Sequence, residues 1–79
     1  HKCGLIHESG EEIFEAKFDN IIRFYEPKLA FVRIGDNWGV VNTNGIELCQ
    51  IIHDYDYLVK NQNYYIQLNN RLQKLNSIL

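Results

Sequence analysis

The sequence predicts an all-β fold: an antiparallel meander of short repeated β-hairpins, with room for a short C-terminal helix. Three observations carry this expectation. Gly4 and Gly39, and likewise Gly10 and Gly45, stand 35 residues apart, each first glycine followed by an apolar pair, Leu5-Ile6 or Val40-Val41. Tight-turn dipeptides, Gly35-Asp36 and Asn44-Gly45, punctuate the chain between short apolar runs. Ala30, Val32 and Ile34 alternate with Phe31 and Arg33, the period of two expected of a strand.

The elements follow in order. Strands at about 3–7 and 11–15 flank "ESG", and strands at about 38–42 and 46–51 flank "TNG". Gly10 and Gly45 end these triplets, where a two-residue hairpin of the primed type needs positive φ. Between the two hairpins lie strands at about 19–25 and 29–34, joined through "YEPK", where Pro27 removes no ladder hydrogen bond. "NIIRFYE" is apolar on both faces, which suits a strand between two layers. Gly35-Asp36 turns the chain into the strand carrying Trp38. Gly4 and Gly39 lie inside strand patterns, where glycine marks a bulge or the close approach of a neighbouring repeat or of the Trp38 ring. Two further strands are expected at about 56–60 and 63–68, where Tyr64, Ile66 and Leu68 alternate with Tyr65 and Gln67. The last stretch, "NNRLQKLNSIL", allows two readings. Leu68, Leu72, Leu75 and Leu79 form a helical stripe that Asn69 or Asn70 could cap. The preferred reading is a worn strand of another repeat, since terminal repeats are often atypical.

Composition limits the function. A chain of 79 residues makes one small domain and buries a modest core. A net charge of −2, with acidic and basic residues interspersed, gives no footprint for nucleic acid. The longest apolar runs, such as "LAFV", fall far short of the roughly 20 residues that span a bilayer. The chain has no Met and opens on His1, so it reads as a fragment of a longer protein. Cys3 and Cys49 are too few for a disulfide framework or a complete zinc site.

The block "LAFVRIGDNWGVVNTNGIEL" resembles the WG-repeat family of bacterial proteins, whose units run through a small-residue strand, a turn, an "NWG" core, a turn ending in glycine and a "Y-D" strand. The structural motif residues are then Gly4, Gly10, Gly35, Trp38, Gly39 and Gly45. One repeat covers about 2–36, a second about 37–70, and 71–79 is a degenerate cap. Cys3 stands where the first unit should carry Trp, and Leu72-Gln73 stands where a third should carry Trp-Gly. The resemblance implies a bacterial protein; the residues leave its compartment unknown, the cytoplasm being slightly favoured. It also implies a binding or scaffolding role, and it supplies no catalytic residues.

Residues with chemistry to offer fit structural roles better. His53, Asp54 and Asp56 suit metal binding or acid–base work by type, but a strand places His53 opposite the two carboxylates. Cys49 and His53 would meet only on a helix. Ser9 has no nucleophile-elbow context, and Glu11, Glu12 and Glu15 lack the spacing of a calcium loop. No cofactor, metal or catalytic centre is therefore expected. The aromatic residues are richer in implication: Tyr25, Phe31, Tyr64 and Tyr65 are the candidate interaction surface. The expected function is a non-catalytic module that binds another protein or further repeats of its own chain. The alternative is an immunity- or inhibitor-type protein that blocks a toxin or enzyme through acidic groups, Glu8 among them.

Overall fold

The computed structural model describes residues 2–7, 9–24 and 28–78, with side chains up to Leu75. Six strands come first: β1 (Cys3–Ile6), β2 (Glu12–Phe18), β3 (Asn20–Phe24), β4 (Leu29–Ile34), β5 (Asn37–Asn42) and β6 (Glu47–His53). Two helices follow, α1 (Tyr55–Lys60) and α2 (Gln62–Ile78). All pairings are antiparallel. β1 and β2 make a two-stranded ribbon, and β3-β4-β5-β6 a meander sheet.

Apolar side chains on both faces of the meander make it the middle of three layers. Leu29, Phe31 and Val40 point to one face, where they meet Leu58 and Tyr65 of the helices. Ala30, Val32 and Val41 point to the other, where they meet Leu5 and Phe18 of the ribbon. β4 is buried from Leu29 through Val32, which is why "LAFV" is apolar without interruption. In β3, Ile21 joins the ribbon side and Ile22 and Phe24 the helix side.

The two glycine-punctuated hairpins have the same internal geometry. β1 pairs with β2 as Cys3–Phe18, Leu5–Phe14 and Ile6–Glu12, and β5 pairs with β6 as Trp38–His53, Val40–Cys49 and Val41–Glu47. Every residue of the second set lies 35 positions after its counterpart, and both ladders are shifted at the same two places. Each shift puts extra residues on the second strand, as a β-bulge does. That strand bends in over the glycine. A Cβ on Gly4 would lie 2.9 Å from the Phe14 carbonyl oxygen, and one on Gly39 would lie 2.7 Å from that of Cys49, again 35 residues on. The close approach comes from each glycine's own hairpin partner, not from a neighbouring repeat or the Trp38 ring.

The turns match as well, and they correct one expectation. Asn42 N–H donates to Ile46 O at 2.9 Å and Gly45 N–H to Asn42 O at 3.2 Å. The loop is thus three residues long, Thr43 to Gly45, instead of a two-residue primed turn. Gly45 closes it at φ 87°, a conformation costly for a residue with a Cβ. In the first hairpin His7 N–H donates to Glu11 O and Gly10 N–H to His7 O, both at 2.8 Å, with Gly10 at φ 91°.

After His53 the likeness ends, and the expected strands at about 56–60 and 63–68 are helices instead. No Gly or Pro follows Gly45, so nothing in the sequence breaks a helix there. Burial recurs at Leu58, Tyr65 and Asn69, with Asn61, Gln62, Ile66 and Leu72 half-buried between and after them, a spacing of three to four. This stripe outweighs the short alternation of Tyr64, Ile66 and Leu68. The terminal stretch is therefore helical, as the leucine stripe allowed, which corrects the preferred worn-strand reading. Asn69 is no cap: it lies inside α2 and is fully buried.

Candidate interaction surface

Burial redistributes the four aromatic candidates. Phe31, at 1% exposure, and Tyr65, at 5%, belong to the helix-side core. Phe31 is buried because β4 is covered on both faces, so alternation sends no side chain of its centre to solvent. Tyr65 lies on the inner face of α2, and its hydroxyl donates to the Cys49 Sγ at 3.1 Å. Burial, followed by that hydrogen bond and the nearby Tyr57, pushes the phenol well above its ordinary range, so it stays neutral. Tyr64 is exposed and rests edge-on against Tyr65, 5.2 Å between centroids. Tyr25 lies outside the described residues.

Trp38 is half-buried and packs edge-on against Tyr55 at 5.1 Å, and Tyr55 also meets Phe31 at 6.3 Å. Here the indole anchors α1 to the sheet. His53 stacks on Tyr57 with centroids 4.0 Å apart, and Asp54 is the residue before α1. Those contacts give His53 and Asp54 structural surroundings. Among the described residues no group of three His, Cys, Asp or Glu side chains is placed to hold a metal ion. Both cysteines are free thiols, Cys3 exposed and Cys49 buried.

Sequence reading missed a polar clasp at the start of the second pair of strands. Asp19 pairs with Lys2, accepts the Gly35 N–H at 2.6 Å, and gives its own N–H to Arg33 O at 2.7 Å. Lys2 above all, then the Gly35 N–H, holds the Asp19 carboxyl below its ordinary range. A depressed folded value means that the stabilisation is present at neutral pH and is lost as pH falls through it. Urea midpoints followed from about pH 6 to pH 2 should fall less steeply for Asp19→Asn than for the wild type. Equal slopes would show that the clasp contributes nothing.

The surface that stands out is the outer side of the β1–β2 ribbon. Ile6 is 57% exposed, whereas Val41, its counterpart 35 residues on, is 1% exposed. Cys3 is exposed where Trp38 is half-buried. A notch of 390 Å³ opens between the two equivalent turns, lined by His7, Glu11 and Glu12 on one side and Thr43 and Asn44 on the other. Neither the residue type of Ile6 nor its match to Val41 signals this exposure in the sequence.

Residues 4–38 match the family model described as WG containing repeat. The chain carries a WG-type β repeat. The match begins at Gly4 and ends at Trp38, just before Gly39 begins the equivalent stretch of the second copy. The WG-type repeat thus takes in the ribbon, β3, β4 and the turn into β5. No curated protein and no solved structure matches the chain significantly. Among the described residues, no helix is long and apolar enough to cross a membrane.

Proposed function

We propose that this chain is a non-catalytic WG-type module that binds another protein, or further repeats, through the side of its ribbon that exposes Ile6. One repeat spans about 2–36, a second begins at about 37, and the two helices close the second copy in place of further strands. The observation that carries the proposal is the contrast between Ile6 and Val41, equivalent in register and opposite in exposure. An exposed branched apolar residue on a bulged ribbon, at a position that is core in the sister hairpin, supports a contact made with another molecule or another repeat.

The immunity- or inhibitor-type alternative draws on Glu11, Glu12 and Glu15, all exposed and two of them on the notch. Salt separates the two readings. Immobilised wild type and Ile6→Glu should be compared for proteins retained from a source lysate, at about 0.05 M and about 1 M salt. Retention lost in the variant and indifferent to salt is the expected result. Retention stripped by salt and indifferent to Ile6→Glu would favour the acidic plug.

A further inference from the structure

The two hairpins share a register and differ in their neighbours. β5 is paired along its whole outward edge with β4, from Leu29–Asn42 to Ile34–Asn37. β1, the counterpart of β5, has only β2 among the described residues. Backbone groups along an antiparallel strand address its two neighbours alternately. Asn42 addresses β6 through its bond to Ile46, so Val41 and Gly39 address β4. By the same alternation His7 addresses the β2 side, and Ile6 and Gly4 address the open edge. One hydrogen bond marks that direction: the Arg23 guanidinium donates to Ile6 O at 2.9 Å from β3, leaving the carbonyl a second lone pair.

We infer that the open edge of β1 receives the last strand of a further, upstream WG-type unit, antiparallel to residues 2–7 in the register that β4 keeps with residues 37–42. That strand has the chemistry of β4, "LAFVRI", and the ribbon of the same unit covers Ile6 as the β1–β2 ribbon covers Val41. This rests on the binding-module reading and names its partner and surface. A second copy of this chain cannot supply the strand, because its own β4 is already paired on both edges, with β3 and β5.

The test adds a copy of residues 2–36 ahead of Lys2 in the full chain, so that Asp36 runs into Lys2 as it runs into Asn37 in the native sequence. Amide hydrogen exchange is then read at the Gly4 and Ile6 that follow the junction. Protection raised by about tenfold or more over the native chain is expected. Unchanged exchange with the added copy folded, as its own protected amides report, would overturn the inference. If the added copy fails to fold, a synthetic peptide of residues 28–36 decides: saturable shifts at Gly4 and Ile6 support the inference, and none overturn it. Protection in the native chain that rises with its concentration would mean β1 pairing with β1 of another copy, which also overturns it. Ile6-dependent retention of a protein without edge protection would leave the module reading standing and remove this one.

Discussion

Gly39→Ala is expected to destabilise the domain by about 3 kcal/mol, at the upper end of what overpacking a core costs. The Cβ would stand 2.7 Å from the Cys49 carbonyl oxygen, 2.7 Å from Ile51 Cγ1 and 2.9 Å from Ile51 Cα. Two of these three atoms are backbone, and they belong to the bulged part of β6, where movement breaks the β5–β6 ladder. Gly39 is itself buried between β4 and β6, so β5 has no room to withdraw. Working the other way, alanine restricts the unfolded chain more than glycine does, a gain of about 0.4–1 kcal/mol. The clash dominates. Gly4→Ala meets the same kind of obstacle at 2.9 to 3.3 Å, but in a two-stranded ribbon whose β1 has no second strand against it among the described residues and can shift, so it should cost about 1 kcal/mol. Urea denaturation of both variants checks this through the midpoint at constant slope. A Gly39→Ala midpoint equal to the wild type would refute the account of the bulge.

What the sequence made legible was local. The first six strands were readable because each is bounded by a glycine turn or a polar break, and a turn residue acts within three or four positions. The repeat was readable because Gly4, Gly10, Gly39 and Gly45 carry a backbone requirement that few other residues meet. The C-terminal helix was legible as one of two readings, through the leucine stripe from Leu68, but residues 56–68 were misjudged because the Tyr64–Leu68 alternation is as short as a strand, whereas the stripe from Leu58 to Leu72 emerges only over the longer window and once the missing glycines are weighed. The surface was harder still. Phe31 looks outward by alternation along β4, and only the presence of layers on both sides of the sheet buries it. Ile6 reads as core by type and by its match to Val41, and what exposes it is a neighbour that the second hairpin has and the first lacks.

Asn42→Ala should cost about 3 kcal/mol, while His7→Ala, the same substitution in the first hairpin, should cost under about 0.5 kcal/mol. The two side chains do the same local work. His7 Nδ1 accepts the Ser9 N–H at 3.1 Å, and Asn42 Oδ1 accepts the Asn44 N–H at 2.9 Å, and that of Ile46 as well. Their surroundings differ. His7 is exposed, so water replaces its bond at little cost. Asn42 is fully buried, and its amide nitrogen donates at 3.0 Å to Asn69 Oδ1, equally buried on α2. Truncation strips that oxygen of this donor inside the protein, which costs about 1–3 kcal/mol, and it removes the bonds that shape the turn. The excess of Asn42→Ala over His7→Ala therefore measures how firmly the helical layer is tied to the second hairpin. A double-mutant cycle with Asn69→Ala should return a coupling of about 1–2 kcal/mol. Coupling near zero, with Asn42→Ala still costly, would place the whole effect in the turn and leave α2 held by its apolar contacts alone.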